Sequence, residues 1–321
     1  MKDAIVLITG ANSGIGKAAA LKFAAEGYRV VMACRNIAAA EAAREQIAAV
    51  ANRPRVDLME VDMASFASIR AFCEAYKARY AKLDMLIHNA ACMNHGEKAY
   101  RLGPDRIELT FATNAFGPFL MTNLLADCLE KSQDPRVLNA CTTNIKHFFN
   151  PKRQIEFDNL QGELRGSRSY NAYKMYGDSK MALLMLTFKL AETLGSRGIK
   201  VNALQINRVK LSPETIRKMR SYWKLLAWIQ NLTNPPPAGM AANYYRICTS
   251  DAFKDATGRL LNHKREWVEP AASEKGFAQF RNIFGSRSYP RYAADPANVQ
   301  RIWDLSMALT QRPPVAADTE R

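Results

Sequence analysis

Three glycines, Gly10, Gly14 and Gly16 in the stretch TGANSGIG, follow directly on the apolar run from Ala4 to Ile8. Glycine between a strand and a helix weakens folding unless a close approach needs the space. At such a turn one glycine permits the tight bend and one lets backbone approach a diphosphate. A third lets helix and strand pack closely, while the free N–H groups of the helix N-terminus face the phosphates. A second chemistry lies in the spacing Tyr-x3-Lys, found twice, as Tyr170/Lys174 and Tyr176/Lys180. Four residues put both side chains on one helix face. An ammonium one turn from a phenol lowers its pKa and suits it to exchange a proton. No His/Cys/Asp group shows zinc-ligand spacing, so no metal is expected.

The elements that must position these groups alternate along the chain. Strand-like runs at 5–8, 29–33, 55–61, 83–87, 136–141 and 200–205 are separated by helix-like segments at 16–26, 36–50, 65–80 and 108–131, the last interrupted by Gly117-Pro118. A further helix runs from about 169 or later to 194. Strands spaced by helices predict βαβ units with right-handed crossovers. The expected fold is α/β: a doubly wound, Rossmann-type three-layer sandwich with a parallel sheet of about seven strands. One domain over 1–321 is expected, with a lid segment at about 207–238 and a C-terminal extension at about 259–321. This frame separates the two tyrosines. Tyr176 opens the segment 179–194, where Met181, Leu184, Met185 and Phe188 form an apolar face. Tyr170 and Lys174 lie among Gly166, Ser167 and Ser169, in loop or a first irregular turn, so Tyr176 and Lys180 are the expected pair.

The 321 residues are 48% hydrophobic, enough for a full core. No stretch reads as a spanning helix or a signal peptide. Six scattered cysteines without a CxxC pair fit a reduced, cytoplasmic protein. The formal charge of +15 is spread along the chain rather than packed into one tract, which fits binding of an anionic cofactor and not of nucleic acid.

Preceded by Thr9 and holding Ile15, the Gly-x3-Gly-x-Gly turn resembles the cofactor turn of the short-chain dehydrogenase/reductase family. Tyr176-x-x-Ser179-Lys180 resembles that family's Tyr-x-x-Ser-Lys, and Val201-Asn-Ala follows 25 residues later, a family-like spacing. Ile155–Leu160 and Arg301–Ser306 narrow the likeness to the retinol-dehydrogenase-like branch. The resemblance implies hydride transfer between a nicotinamide cofactor and a hydrophobic carbonyl or alcohol. Tyr176 would exchange the proton, and Lys180 would stabilise the tyrosinate and hold the nicotinamide ribose. Thr142 would stand in the place of the family's serine, with Thr143 a weaker candidate, and Asn114 would hold a relay water next to Lys180. Gly10, Asn12, Ser13, Gly14, Ile15, Gly16, Asp62, Met63, Asn89, Ala90 and Val209 would contact the cofactor.

An acidic residue at the end of the second strand would bond a free ribose 2′-hydroxyl. The chain instead has Cys34-Arg35-Asn36, and Arg35 can pair bidentately with a 2′-phosphate, helped by Lys17 and Ser13. NADP(H) is therefore the expected cofactor. Three departures stand out: Thr142 for serine, Ala91 for the glycine after the fourth strand, and Ile206-Asn207 for Pro-Gly after the sixth. Asn207 suits a left-handed turn there. These departures keep open an enzyme without net redox chemistry, such as a dehydratase or isomerase, and an NADP-binding sensor. Substrate walls are expected from Met93, His147, Phe148, Tyr173 and Trp223. The segment 212–232, rich in Trp, Leu, Lys and Arg, reads as a substrate lid, with a membrane-surface helix and a packed surface helix as the other readings. Peripheral membrane contact and a homodimer remain options.

Overall fold

A computed structural model describes residues 3–50, 55–93, 97–161, 169–217, 219 and 221–311. Gly166, Ser167, Lys218 and Arg220 lie outside them. The first half alternates strand and helix: β1 (Ile5–Thr9), α1 (Gly14–Ala25), β2 (Arg29–Cys34), α2 (Ile37–Ala49), β3 (Val56–Glu60), α3 (Phe66–Arg79) and β4 (Met85–His88). The helical stretch that follows is broken into α4 (Leu109–Phe111), a π-helical turn (Ala112–Phe116), α5 (Gly117–Leu124) and α6 (Ala126–Glu130). Gly117 is needed because a Cβ there would sit 2.3 Å from the Met63 carbonyl oxygen. Then come β5 (Arg136–Thr142), a 3-10 turn (Thr143–Phe149), α7 (Ala172–Gly195) and β6 (Lys200–Ile206). The C-terminal part holds α8 (Pro213–Arg217), α9 (Ser221–Thr233), α10 (Pro237–Thr249), β7 (Leu260–Leu261), β8 (Trp267–Pro270), α11 (Gly276–Phe284), β9 (Ser288–Tyr289) and α12 (Pro296–Thr310).

The sheet has nine strands in the order β3-β2-β1-β4-β5-β6-β7-β8-β9, not the seven expected. β1 to β7 run parallel, β8 turns back antiparallel to β7, and β9 pairs parallel with β8. The two extra strands are four and two residues long and lack a clear alternating pattern, so no periodicity marks them.

β1, all apolar but for Thr9, is buried throughout, as a central parallel strand covered on both faces requires. Its alternate residues divide between two cores. Leu7 faces the layer of α3, α5, α7 and α12, whereas Val6 and Ile8 face the layer of α1, α2 and α10. The strand order reverses between β1 and β4, and ligand crevices in such sheets open at that point, beyond the C-terminal strand ends. Among the described residues no helix is long and apolar enough to cross a membrane, and no group of three metal-ligating side chains occurs.

Candidate active site

The glycine turn is built around two left-handed residues, Gly10 at φ +66 and Gly14 at φ +56, which a side chain would strain. A Cβ at Gly16 would lie 2.4 Å from both the Gly10 carbonyl oxygen and Asn89 Nδ2, so that glycine serves the packing of α1 onto the strand ends. A Cβ at Gly14 would meet no protein atom within 4 Å, which leaves its backbone approachable from outside. Most long helices carry a side-chain cap: Asn36 accepts from Ala39 N–H at 2.9 Å, Asn171 from Lys174 N–H at 2.9 Å and Asp295 from Asn298 N–H at 3.0 Å. Ser13, in the capping position of α1, makes no such bond, so its side chain leaves the first N–H groups of α1 uncapped. A glycine cradle and an uncapped helix N-terminus fit the diphosphate of a dinucleotide.

Several residues expected to touch the cofactor hold the cradle itself. The Asn89 carboxamide donates to the Thr9 and Gly10 carbonyls at 3.0 and 3.3 Å and accepts from Tyr244 OH at 3.1 Å. The Thr9 hydroxyl accepts from the N–H groups of Asn89 and Ala90, both at 3.0 Å. The backbone N–H groups of Ala11 and Asn12 are directed onto the Cys34 sulfur. Asp62 shapes the turn into α3, its Oδ1 accepting from Ala64 N–H at 3.0 Å, and Met63 packs over Gly117. Arg35 is exposed just past β2 and makes no hydrogen bond or ion pair among the described residues. Lys17, expected beside it, instead gives its ammonium to Gln46 on α2.

α7 carries both members of the expected pair. Tyr176 is half-buried, and its phenol lies close enough to the Thr142 hydroxyl at the end of β5 for that group to lower its pKa. Lys180, 2% exposed, donates from Nζ to the Ala140 carbonyl at 2.7 Å. Burial pushes the lysine down to about 8 and the tyrosine up to about 12, the latter against the lowering effect of Thr142. The expectation that Lys180 depresses the phenol is therefore corrected: its ammonium bonds β5 backbone, and the phenol leans on Thr142. The other spacing match falls apart. Tyr170 precedes α7 and donates to Glu108 Oε1 at 2.9 Å, whereas Lys174 pairs with Glu156 and Asp178. Asn114 sits in the π-helical turn, wholly buried. Its amide donates to the Cys92 carbonyl at 2.9 Å and to Ser179 Oγ at 3.0 Å, so both amide protons brace protein rather than reach Lys180.

A cavity of about 790 Å³ is lined by residues next along the chain, Thr143 and Asn144 after Thr142 and Tyr173 and Lys174 before Tyr176, but not by Thr142, Tyr176 or Lys180 themselves. Of the residues expected as substrate walls, His147, Tyr173 and Trp223 are in its lining, as is Thr143, the next residue after Thr142. Phe148 does not. It is 2% exposed and packs in the core against Tyr292, because the tight 3-10 turn rotates it inward. Met93 does not line it either. The expected lid forms one wall through Leu211, Met219, Trp223, Leu226 and Gln230. Within this segment the Asn231 carboxamide accepts from Leu211 N–H at 2.8 Å and donates to its carbonyl at 2.9 Å, which joins α9 to the start of the segment. The outer face of α9, with Tyr222, Leu225, Trp228 and Leu232, is exposed, while Ala227 on its inner face is buried. Asn207 is not left-handed, contrary to expectation; among the described non-glycine residues only Arg106 and Arg265 have positive φ. Asn207 thus meets the cavity in ordinary backbone, while Ile206 packs against the α1–α10 core. Val209 packs, partly buried, against the α1–α10 core.

Sequence reasoning missed α11, which closes the cavity with Gln279, Ile283 and Phe284 and is tied down by Gln279 Nε2 donating to the Phe149 carbonyl at 2.7 Å. Its signal was present as apolar residues at 277, 280, 283 and 284, one face of a helix. Lys146 and Arg208, also on the cavity wall, were missed; neither lies in a recognisable motif.

The short chain dehydrogenase family model matches residues 4–149. Retinol dehydrogenase 12 of Mus musculus is 34% identical over 279 residues, covering 86% of this chain and 83% of its own. A solved but uncharacterized protein from Mycobacterium paratuberculosis shares the fold at TM-score 0.65 and 24% identity, covering 97% of this chain and 95% of that one. A short chain dehydrogenase from Escherichia coli CFT073 in complex with NADPH does so at TM-score 0.63 and 19% identity, covering 82% and 98%. With its glycine cradle, its Tyr176/Lys180 helix and these relatives, the chain belongs to the short-chain dehydrogenase family of oxidoreductases, in the retinol-dehydrogenase-like branch.

Proposed function

We propose that the protein is an NADP(H)-dependent oxidoreductase, working chiefly as a carbonyl reductase on ketones or aldehydes with a large apolar body. The observation that carries this reading is the placing of the Tyr176 phenol, on the helix that holds Lys180, next to the Thr142 hydroxyl at the end of β5. When bound, the nicotinamide supplies or accepts the hydride. Tyr176, with a pKa of about 12, is a protonated phenol at neutral pH, the form that can give a proton to a developing alkoxide. The Thr142 hydroxyl donates to the same substrate oxygen and stabilises its charge. Lys180, buried one turn further on with its ammonium on the Ala140 carbonyl, braces the reacting end and would orient the nicotinamide ribose. NADP rather than NAD is supported by Arg35, which no carboxylate engages among the described residues, and by the absence of an acid at the end of β2. The experiment is Tyr176→Phe assayed for NADPH oxidation with a panel of hydrophobic aldehydes, ketones and quinones. We expect kcat to fall by roughly 10²–10⁴ while NADPH still binds. Unchanged turnover would remove Tyr176 from the chemistry.

A further inference from the structure

The cavity has two unlike walls. Leu211, Met219, Trp223, Leu226, Ile283 and Phe284 make one side apolar. The remaining lining includes four cations, Lys146, Arg153, Lys174 and Arg208, and no carboxylate. Two carboxylates reach this group from behind: Asp178 pairs with Arg153 at 2.6 Å and with Lys174 at 3.2 Å, and Glu156 pairs with Lys174 at 2.9 Å. Lys146 and Arg208 have no carboxylate among the described residues. Lys146 is partly buried and gives its ammonium to the Gly285 carbonyl. Arg208 is exposed and makes no hydrogen bond or ion pair among the described residues. Arg153 adds a further sign, since its buried Nε has no acceptor among the described residues.

This surplus of positive charge is separate from the cofactor cradle. None of Gly10 to Gly16, nor Arg35, lines the cavity. It adjoins the reacting end through neighbouring residues: Thr142, Tyr176 and Lys180 do not line it, but Asn144, which does, gives its N–H to Thr142 Oγ1 at 3.3 Å, and Tyr173 on its wall stands one turn before Tyr176. A neutral apolar substrate has no use for such cations, whose dehydration would weigh against its binding. An amphipathic anion uses both walls, and the volume suits a drug-sized molecule.

Resting on the oxidoreductase reading above, we propose that the substrate is an amphipathic anion: an apolar body bearing the reacting carbonyl or alcohol, with a carboxylate, sulfate or phosphate held by Lys146 and Arg208. Charge-assisted hydrogen bonds from two cations give specificity that a neutral isostere cannot reach.

The test compares a long-chain ω-oxo fatty acid with its methyl ester, both with NADPH. For wild type we expect kcat/KM to favour the acid by roughly tenfold or more. Arg208→Gln should bring that ratio towards unity by raising KM for the acid, leaving the ester and the KM for NADPH unchanged, and Arg208→Glu should favour the ester. Equal use of acid and ester by wild type overturns the anion site and leaves the reductase reading standing. So does an Arg208→Gln defect shared by both substrates or by NADPH. If neither compound turns over, quenching of tryptophan fluorescence by the acid decides. Binding that weakens in Arg208→Gln keeps the anion site and sinks the redox reading, whereas no binding sinks both.

Discussion

Replacing Lys180 with methionine should make the ligand-free protein more stable at neutral pH while abolishing its activity. The lysine is 2% exposed, and burial lowers its pKa from 10.5 to about 8. A folded-state pKa below the unfolded value means that the folded chain bears a cost for the charged form. A tenfold change in proton affinity is worth about 1.4 kcal/mol, so the cost is about 3 kcal/mol wherever both states are protonated, that is, below pH 8. Methionine fills a similar volume without charge, but it loses the hydrogen bond to the Ala140 carbonyl, about 1 kcal/mol. The net gain at pH 7 is about 2 kcal/mol, or a rise in Tm of roughly 4 °C for a chain of this size. Between pH 8 and 10.5 the folded state has released its proton while the unfolded state has not. The wild-type penalty therefore fades, and the variant's advantage should fall to zero or below by pH 10.5. Thermal and urea unfolding of both proteins at pH 7, 8, 9 and 10.5 measure this margin directly (~0.5-unit control of pH suffices). Groups common to the two proteins cancel from it. A variant less stable than wild type at pH 7, or a margin that does not change with pH, would refute the argument that a buried, partly compensated ammonium is retained here for chemistry.

Thr142→Ser keeps the hydroxyl that meets Tyr176 and should retain activity within a few-fold, whereas Thr142→Ala should lose roughly 10²-fold in kcat, both read in steady-state assays. Arg35→Asp should raise KM for NADPH and lower it for NADH, shifting the cofactor ratio by roughly 10²-fold; an unchanged ratio would mean that Arg35 does not meet the 2′-phosphate. The two glycine-to-alanine changes should part company in a melting experiment. Gly16→Ala meets backbone at 2.4 Å and should destabilise by at least about 3 kcal/mol, whereas Gly14→Ala meets no atom and bears only its left-handed φ, about 1 kcal/mol. Both should weaken cofactor binding in a fluorescence titration.

Much of this protein is written in local spacing. Apolar runs and helix periods are short-range patterns, and they reveal the alternating βαβ order, the glycine turn and the helix that carries Tyr176 and Lys180. The local setting of the two tyrosines was legible too, since Tyr176 lies within α7 and Tyr170 precedes it. The partners of those side chains were not legible, because they are set by contacts far apart in the chain. Lys180 finds the Ala140 carbonyl 40 residues away, and Tyr170 finds Glu108 at a distance of 62. The pKa values follow from burial, which spacing does not report, so the phenol lies above its ordinary value where a simple ammonium–phenol pairing would put it below. The cavity likewise exists only in the folded chain. Its apolar wall joins α9 to α11, and its cations come from the turn after β5, from α7 and from the end of β6. Only packing brings these segments to one opening, and only there does their shared positive charge acquire a chemical meaning.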